Sequence, residues 1–411
     1  MNLGKIKGLT QKVNVLKNYS SLLVPVVIAI VGILLFLPAE LLSRNLKKQI
    51  EDGSVATGKK IKSLSGGAVV RDQWKVEEEY QKEFAEDANQ ISLLMKHSSE
   101  RPLLSYKIFP APKETSTLIF KQFGQRYREG IDSWLVKLNA HDCPTALEID
   151  NSLSKGTLSG GPGGSVQGAK SNEVDTTIID ALCGARARSS RVYANAAGIA
   201  GYSFWENYEY VGMEQAVQDC WFWQLGYWIV EDVFDTIEAC NINSESVFES
   251  PVKRILSIDF ATKGTLGKSG GKKSDARPIY ITSGKDVLVL PCTARLSSGD
   301  IDVVHFEFSV IVQAKEVMKF MKELCSVKQH EFRGFSNELA ESQLYKHNQI
   351  TILGVDISAI DSSALSHKLY RYGDAVVKLS LMCEYIFEKS GYDAVRPASL
   401  TLKQEGGSSG Q

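Results

Sequence analysis

VVHFEFSVIVQAKEVMKFMKELC, residues Val303–Cys325, holds two kinds of pattern side by side. Val303 to Val312 is a run of β-branched and aromatic residues that reads as a strand. Lys315 to Cys325 reads as a helix with Val317, Met318, Phe320, Met321 and Leu324 turned inward. Two more strands follow, QITILGVDISAI (Gln349–Ile360) and AVVKLSLMCEYIF (Ala375–Phe387). Strand, helix, strand, strand is half of a ferredoxin-like α/β sandwich. Upstream, Val252–Phe260, Ile279–Ile281 and Val287–Leu296 also read as strands, the last pairing as a hairpin with Val303–Val312 to extend the sheet. The fold class is α+β.

Before the strands lies an aromatic region. Thr115 or Ser116 can cap a helix running to Lys137, with Ile119, Phe123, Tyr127, Ile131 and Leu135 on one face. A glycine-rich loop at Ser154–Lys170 and a helix-like segment from Glu173 to Ala197 follow. Tyr202, Phe204, Trp205, Tyr208 and Tyr210 then lead into a helix, Met213–Cys240, carrying Trp221, Phe222, Trp223, Tyr227, Trp228 and Phe234. Its acids, Glu214, Asp219, Glu231, Asp232, Asp235 and Glu238, mark the wet side. An aromatic stripe at this spacing is commonly core, but Trp on several faces also suits a protein interface.

At the other end, LLVPVVIAIVGILLFLPAELL (Leu22–Leu42) is almost wholly apolar. About 20 helical residues cross the ~30 Å of bilayer hydrocarbon, so the stretch reads as one transmembrane helix. The preceding Lys5, Lys7, Lys12 and Lys17 place the N-terminus in the cytoplasm and the bulk of the chain outside the inner membrane. Arg71–Met95 is a stalk helix with Tyr80, Phe84, Ala88, Ile91 and Met95 at spacings of three and four, suited to coiled-coil pairing. The expected organisation is a basic tail (1–21), transmembrane helix (22–42), stalk (43–101), helical aromatic-rich insert (102–260), ferredoxin-like domain (261–397) and disordered tail (398–411).

The 411 residues include 47 basic and 48 acidic side chains, a net charge of −1. Setting aside the four lysines of the tail leaves −5 on the remainder, which argues against nucleic acid as a partner. Seven scattered cysteines without a C-x-x-C pair form neither a zinc ribbon nor a disulfide scaffold. GTLGKSGGKK (Gly264–Lys273) lacks the first glycine of a P-loop, since position 262 is Thr262. The six histidines make no H-E-x-x-H or H-x-H ligand pattern, and His305, on a strand, reads as a packed residue. Arg186, Arg188 and Arg191 form a solvated helical face. No catalytic residues, metal ligands or cofactor are expected.

The segments LPCTARLSSGD (Leu290–Asp300), VVHFEFSVIVQAKEVMKFMKELC, QITILGVDIS (Gln349–Ser358) and AVVKLSLMCEYIFEKSGYDAVRP (Ala375–Pro397) resemble the terminal unit of PilO and GspM. These are inner-membrane assembly proteins of type IV pili and type II secretion. The resemblance implies a non-enzymatic, single-pass structural component with a periplasmic domain. It would pair with a PilN-like single-pass membrane protein, or as a homodimer, through the stalk. The candidate partner interface is Tyr80, Phe84, Ile91, Trp221, Trp223 and Trp228. The competing expectation is an anchored extracytoplasmic sensing domain whose pocket is lined by the aromatic cluster Tyr202–Trp228.

Overall fold

The computed structural model describes residues 20–66, 71–158, 171–260, 276–287, 292–335, 341–361 and 363–400. The basic tail before residue 20, most of the glycine-rich loop, the GTLGKSGGKK segment and the last eleven residues lie outside them. The chain divides into two compact units, Met1–Asp87 and Ala88–Gln411.

In the first unit, α1 (Ser20–Gln49) carries the apolar run, followed by a π-helical turn (Ile50–Val55) and α2 (Ala56–Gly66). Gly53 sits in the widened turn, where an added Cβ would meet nothing within 4 Å. Ser63–Gly67 reads in sequence as a break; its described part, Ser63–Gly66, is helical. Apolar side chains of α1 such as Val24, Ile28, Ile33, Leu34 and Phe36 are exposed. Among the described residues, no helix is long and apolar enough to cross a membrane. Helix α3 (Arg71–Ser99) spans the unit boundary in sequence and covers the expected stalk segment.

The second unit is α+β, built on a six-stranded sheet in the order β1-β2-β3-β4-β8-β7. Its members are β1 (Ala140–His141), β2 (Val192–Tyr193), β3 (Val252–Asp259), β4 (Ile301–Gln313), β7 (Ile350–Ala359) and β8 (Val376–Glu388). The helices are α4 (Leu118–Lys137), α5 (Ala146–Leu158), α6 (Ser171–Ser189), α7 (Tyr202–Glu206), α8 (Met213–Asn241) and α9 (Val317–Leu324). Strand β4 runs antiparallel to β8, and β8 antiparallel to β7, so β8 lies between the two strands that α9 connects. On the other side β4 pairs antiparallel with β3, giving the order α8-β3-β4-α9-β7-β8: a helix and two strands, used twice.

Strand β4 is long and buried nearly throughout because both faces of the sheet are covered. Val304, Phe306, Phe308 and Val310 stand opposite Tyr385, Cys383, Leu381 and Leu379 of β8 and form one face. That face packs with α8 in the main core. On the other face, Val303 packs with Ile281 and Val287, and Ile311 with Tyr193 and Tyr372.

Three expectations are corrected. The boundary at 260/261 has no counterpart: β1, β2 and β3 precede it, the remaining strands follow it, and one core spans both sides. The α8 region is therefore not an insert but the helical layer over the sheet. Of the expected strand Val287–Leu296, residues 288–291 lie outside the described ones; Val287 and residues 292–296 are turn and coil, and Ala294 adopts a positive φ of 52° that breaks extended backbone. Of the expected strand Ile279–Ile281, Tyr280 forms an isolated bridge, to Val304. Finally, a two-stranded ribbon unseen in the pattern, β5 (Lys328–Phe332) with β6 (Gln343–His347), interrupts the crossover from α9 to β7.

Candidate functional site

Helix α3 carries acids and lysines between its apolar positions, and its aromatic side chains are exposed. Trp74, Tyr80 and Phe84, in the first unit, are 63%, 67% and 70% exposed. Ile91, in the second, is also exposed, and with Leu94 and Met95 it forms one wall of a groove of about 440 Å³. The groove is also lined by Val327, His347, Asn348, Gln349 and Ile386.

Trp221, Trp223 and Trp228 are fully buried and have no surface to offer a partner, which corrects their place among the interface candidates. Helix α8 lies beneath α4 and over the sheet, so residues on nearly all its faces meet protein. Trp221 packs edge-on against Phe109, Trp223 against Tyr127, and Trp228 lies 6.1 Å from Phe387. The indole nitrogen of Trp221 donates to the Tyr280 hydroxyl, and that of Trp228 to the Pro102 carbonyl. Gly124 and Gly201 let Trp205 and Trp223 come so close that a Cβ at either glycine would overlap a ring, and Gly201 also needs its φ of 84°. The rings fill the space they enclose, and neither the groove nor the cleft described below is lined by them.

The acids of α8 do not all face water. Asp232 is 1% exposed and sits at the centre of a buried polar cluster. Arg101, in the segment after α3, holds it with two nitrogens at 3.0 and 3.2 Å, and also reaches Glu231 at 2.6 Å. The Tyr385 hydroxyl donates to Asp232 at 2.7 Å and accepts from Arg101 at 2.9 Å. His347 Nε2 lies 2.9 Å from the same carboxylate oxygen. His347 Nδ1 is 2.9 Å from Nδ1 of His330, whose Nε2 is 2.8 Å from the Glu100 carbonyl.

Burial opposes every charge in this cluster, but the partners outweigh it at two positions. Asp232 would be raised by burial, yet Arg101 and His347 hold it well below the usual carboxylate range. Arg101 is likewise held above its ordinary value by Asp232, Tyr385 and Glu231. Burial prevails at Glu231, whose carboxyl is pushed up, and at Asp235, raised to about 6 by burial and by the neighbouring Glu231 and Asp232. His330 is held down to about 4 by burial, Arg101 and His347. The arrangement fastens three distant segments: the chain after α3, helix α8, and the ribbon with β8. Sequence pattern missed it because its partners lie between 17 and 284 residues apart. The available signal was an acid, Asp232, placed among large apolar residues.

The remaining candidates are structural. His305 is buried on β4, and neither ring nitrogen has a hydrogen-bond partner among the described residues. Arg186 bonds Glu148 and the Asp142 carbonyl, so it pins α6 to α5 rather than facing solvent alone. The seven cysteines are free thiols. Among the described residues, no group of three or more His, Cys, Asp or Glu side chains could hold a metal ion. A second cleft, of about 760 Å³, is lined by Asp180, Lys368, Tyr370, Arg371, Tyr372 and Asp374 among others.

No protein-family model matches the chain, and no curated protein matches its sequence. Among solved structures, it is similar at 9% identity and a TM-score of 0.23 to a crystal structure of a protein from Akkermansia muciniphila, with 76% of this chain and 97% of that one covered. It is similar at 8% identity and a TM-score of 0.22 to a structure, without its transmembrane region, of a protein from the same organism, with 72% and 98% covered.

Proposed function

We propose that this chain is a non-enzymatic, membrane-anchored structural component of a pilus or secretion assembly platform. It pairs through α3 with a similar single-pass subunit or a second copy. The observation that carries the reading is the exposed aromatic stripe on a charged helix, with Tyr80, Phe84 and Ile91 all more than half exposed. Exposed apolar rings in such a row call for a partner surface.

Two further features support it. Strands β4, β7 and β8 with α9 have the connectivity of half a ferredoxin-like sandwich. The exposed Val24, Ile28, Ile33, Leu34 and Phe36 of α1 suit a lipid environment. Anchoring in a shared membrane raises the effective concentration of two stalks, so a modest helix interface suffices. The N-terminus would then be cytoplasmic and the Ala88–Gln411 unit periplasmic.

The test is site-directed crosslinking of the full-length chain in its native membrane from positions 80, 84 and 91, with mass spectrometry of the adducts. Adducts with a single-pass subunit or a second copy support the reading. No adduct from any of the three positions, with adducts from a control site elsewhere, overturns it. A sensing role is the second reading. It rests on the 760 Å³ cleft, which is lined by Lys368, Arg371, Asp180 and Asp374.

A further inference from the structure

The ribbon β5–β6 is fastened by two histidines whose partners dictate where their protons sit. Opposite a carbonyl, His330 Nε2 has to donate, so that nitrogen carries hydrogen. Opposite the ionised Asp232, His347 Nε2 has to donate as well. A neutral imidazole carries one N–H, so both Nδ1 atoms would then be bare lone pairs. Those two atoms face each other at 2.9 Å, a hydrogen-bond distance with no hydrogen to fill it.

We propose that His330 and His347 share a single extra proton between their Nδ1 atoms, and that this proton latches the β5–β6 ribbon to α8 and to the chain following α3. Placing the proton on Asp232 instead would leave the count unchanged, since the cluster needs one proton beyond two neutral rings. The charges around the pair accommodate it. From α8 come Asp232, Glu231 and Asp235; after α3 come Arg101 and Glu100, whose carboxylate bonds His97. On the ribbon stand Tyr345, stacked on His97, and Lys328, whose ammonium bonds the carbonyls of Glu323 and Leu324. Strand β8 supplies the Tyr385 hydroxyl. Arg101 and the shared proton thus meet Asp232 and the partly exposed Glu231, two positive charges with two negative ones. A second proton finds no acceptor there.

The latch has a direction. Rising pH removes the shared proton, leaves two lone pairs in contact and releases the ribbon; His347 lines the apolar groove beside α3, so release also remodels that groove. The test labels the histidines of the full-length chain with ¹⁵N and reads the ring nitrogens by NMR at pH 7. The expected spectrum shows one pair of Nδ1 signals sharing a proton, with both Nε2 atoms protonated. Two neutral rings, or two full imidazolium rings, would each overturn the proposal. Urea unfolding between pH 7 and 9 gives a second readout. Wild type should lose up to tenfold in its folding equilibrium per pH unit over the range where the folded chain still holds the shared proton and the unfolded chain has lost it, beyond the loss in His330→Gln, whose amide can donate to His347 without an added proton. Equal slopes in the two proteins would also overturn it; if His330→Gln does not fold, the wild-type spectrum decides.

Discussion

Helices α3 and α8 are each 29 residues long and both carry rings at helical spacing, yet they end in opposite environments. Trp221, Trp223 and Trp228 of α8 are fully buried, while Trp74, Tyr80 and Phe84 of α3 are among the most exposed aromatic residues described. The rings do not make the difference; the positions between them do. In α8 they are Val217, Leu225, Gly226, Ile229, Val230 and Val233, which let the sheet and α4 close in from several sides. In α3 they are Lys75, Glu77, Glu78, Glu79, Lys82 and Glu83, which hold water around all but one stripe.

The contrast can be broken at measurable points. The largest effect is expected from Asp232→Ala, which strands Arg101 in the interior. Leaving one member of a buried ion pair unpartnered costs about 3–5 kcal/mol, read as a lowered urea midpoint by tryptophan fluorescence. A change under 1 kcal/mol would mean that the α8 acids face water after all. Next comes Trp223→Ala, at about 3 kcal/mol or somewhat more for a large buried ring, checked in the same way.

His305→Met should act in the opposite sense, stabilising by about 1–2 kcal/mol, because it removes a buried ring with no hydrogen-bond partner among the described residues. It also bears on pH. Burial holds His305 down to about 4, so as pH falls from about 6.5 the unfolded chain takes up that proton before the folded one does. Stability therefore drops from pH 6.5 towards 4, and the variant should lose less of it between pH 7 and 4.5 than wild type. The smallest effect on stability, within about 0.5 kcal/mol, is expected for Tyr80, Phe84 and Ile91 changed together to Ser. Association, followed by crosslinking in the membrane, should nonetheless be lost. A large loss of stability with association intact would make α3 a core helix like α8.

How far these differences could be read beforehand depends on the distance over which the cause acts. Helix α4 was expected to end at Lys137 and does, because its face of Ile119, Phe123, Tyr127 and Ile131 is written in local spacing. Strand β4 was expected over Val303–Val312 and runs from Ile301 to Gln313 for the same reason. Met318 was expected inward and is 74% exposed, because its face of α9 turns away from the sheet while Phe320 and Leu324 turn towards it. Of the interface candidates, Tyr80, Phe84 and Ile91 were legible as an unpartnered stripe. The three tryptophans were not, since their burial depends on α4 and on strands that follow in sequence. The polar cluster was illegible for a like reason: Arg101 and Tyr385 meet only after the sheet closes.

Strand β4 also sets an order of events for the growing chain. Its thirteen rungs with β8 join Ile301 to Glu388 and Gln313 to Val376, so contact waits until synthesis has passed residue 376. Until then Phe306, Phe308 and Val310 have half of their cover missing, and Tyr392 has not yet reached the buried Asp302. A chain stalled on the ribosome short of β8 would present this strand's open edge and apolar face to its surroundings. Folding of the sheet is thus postponed until β8 has been made, and a chaperone that shields β4 has that interval in which to act.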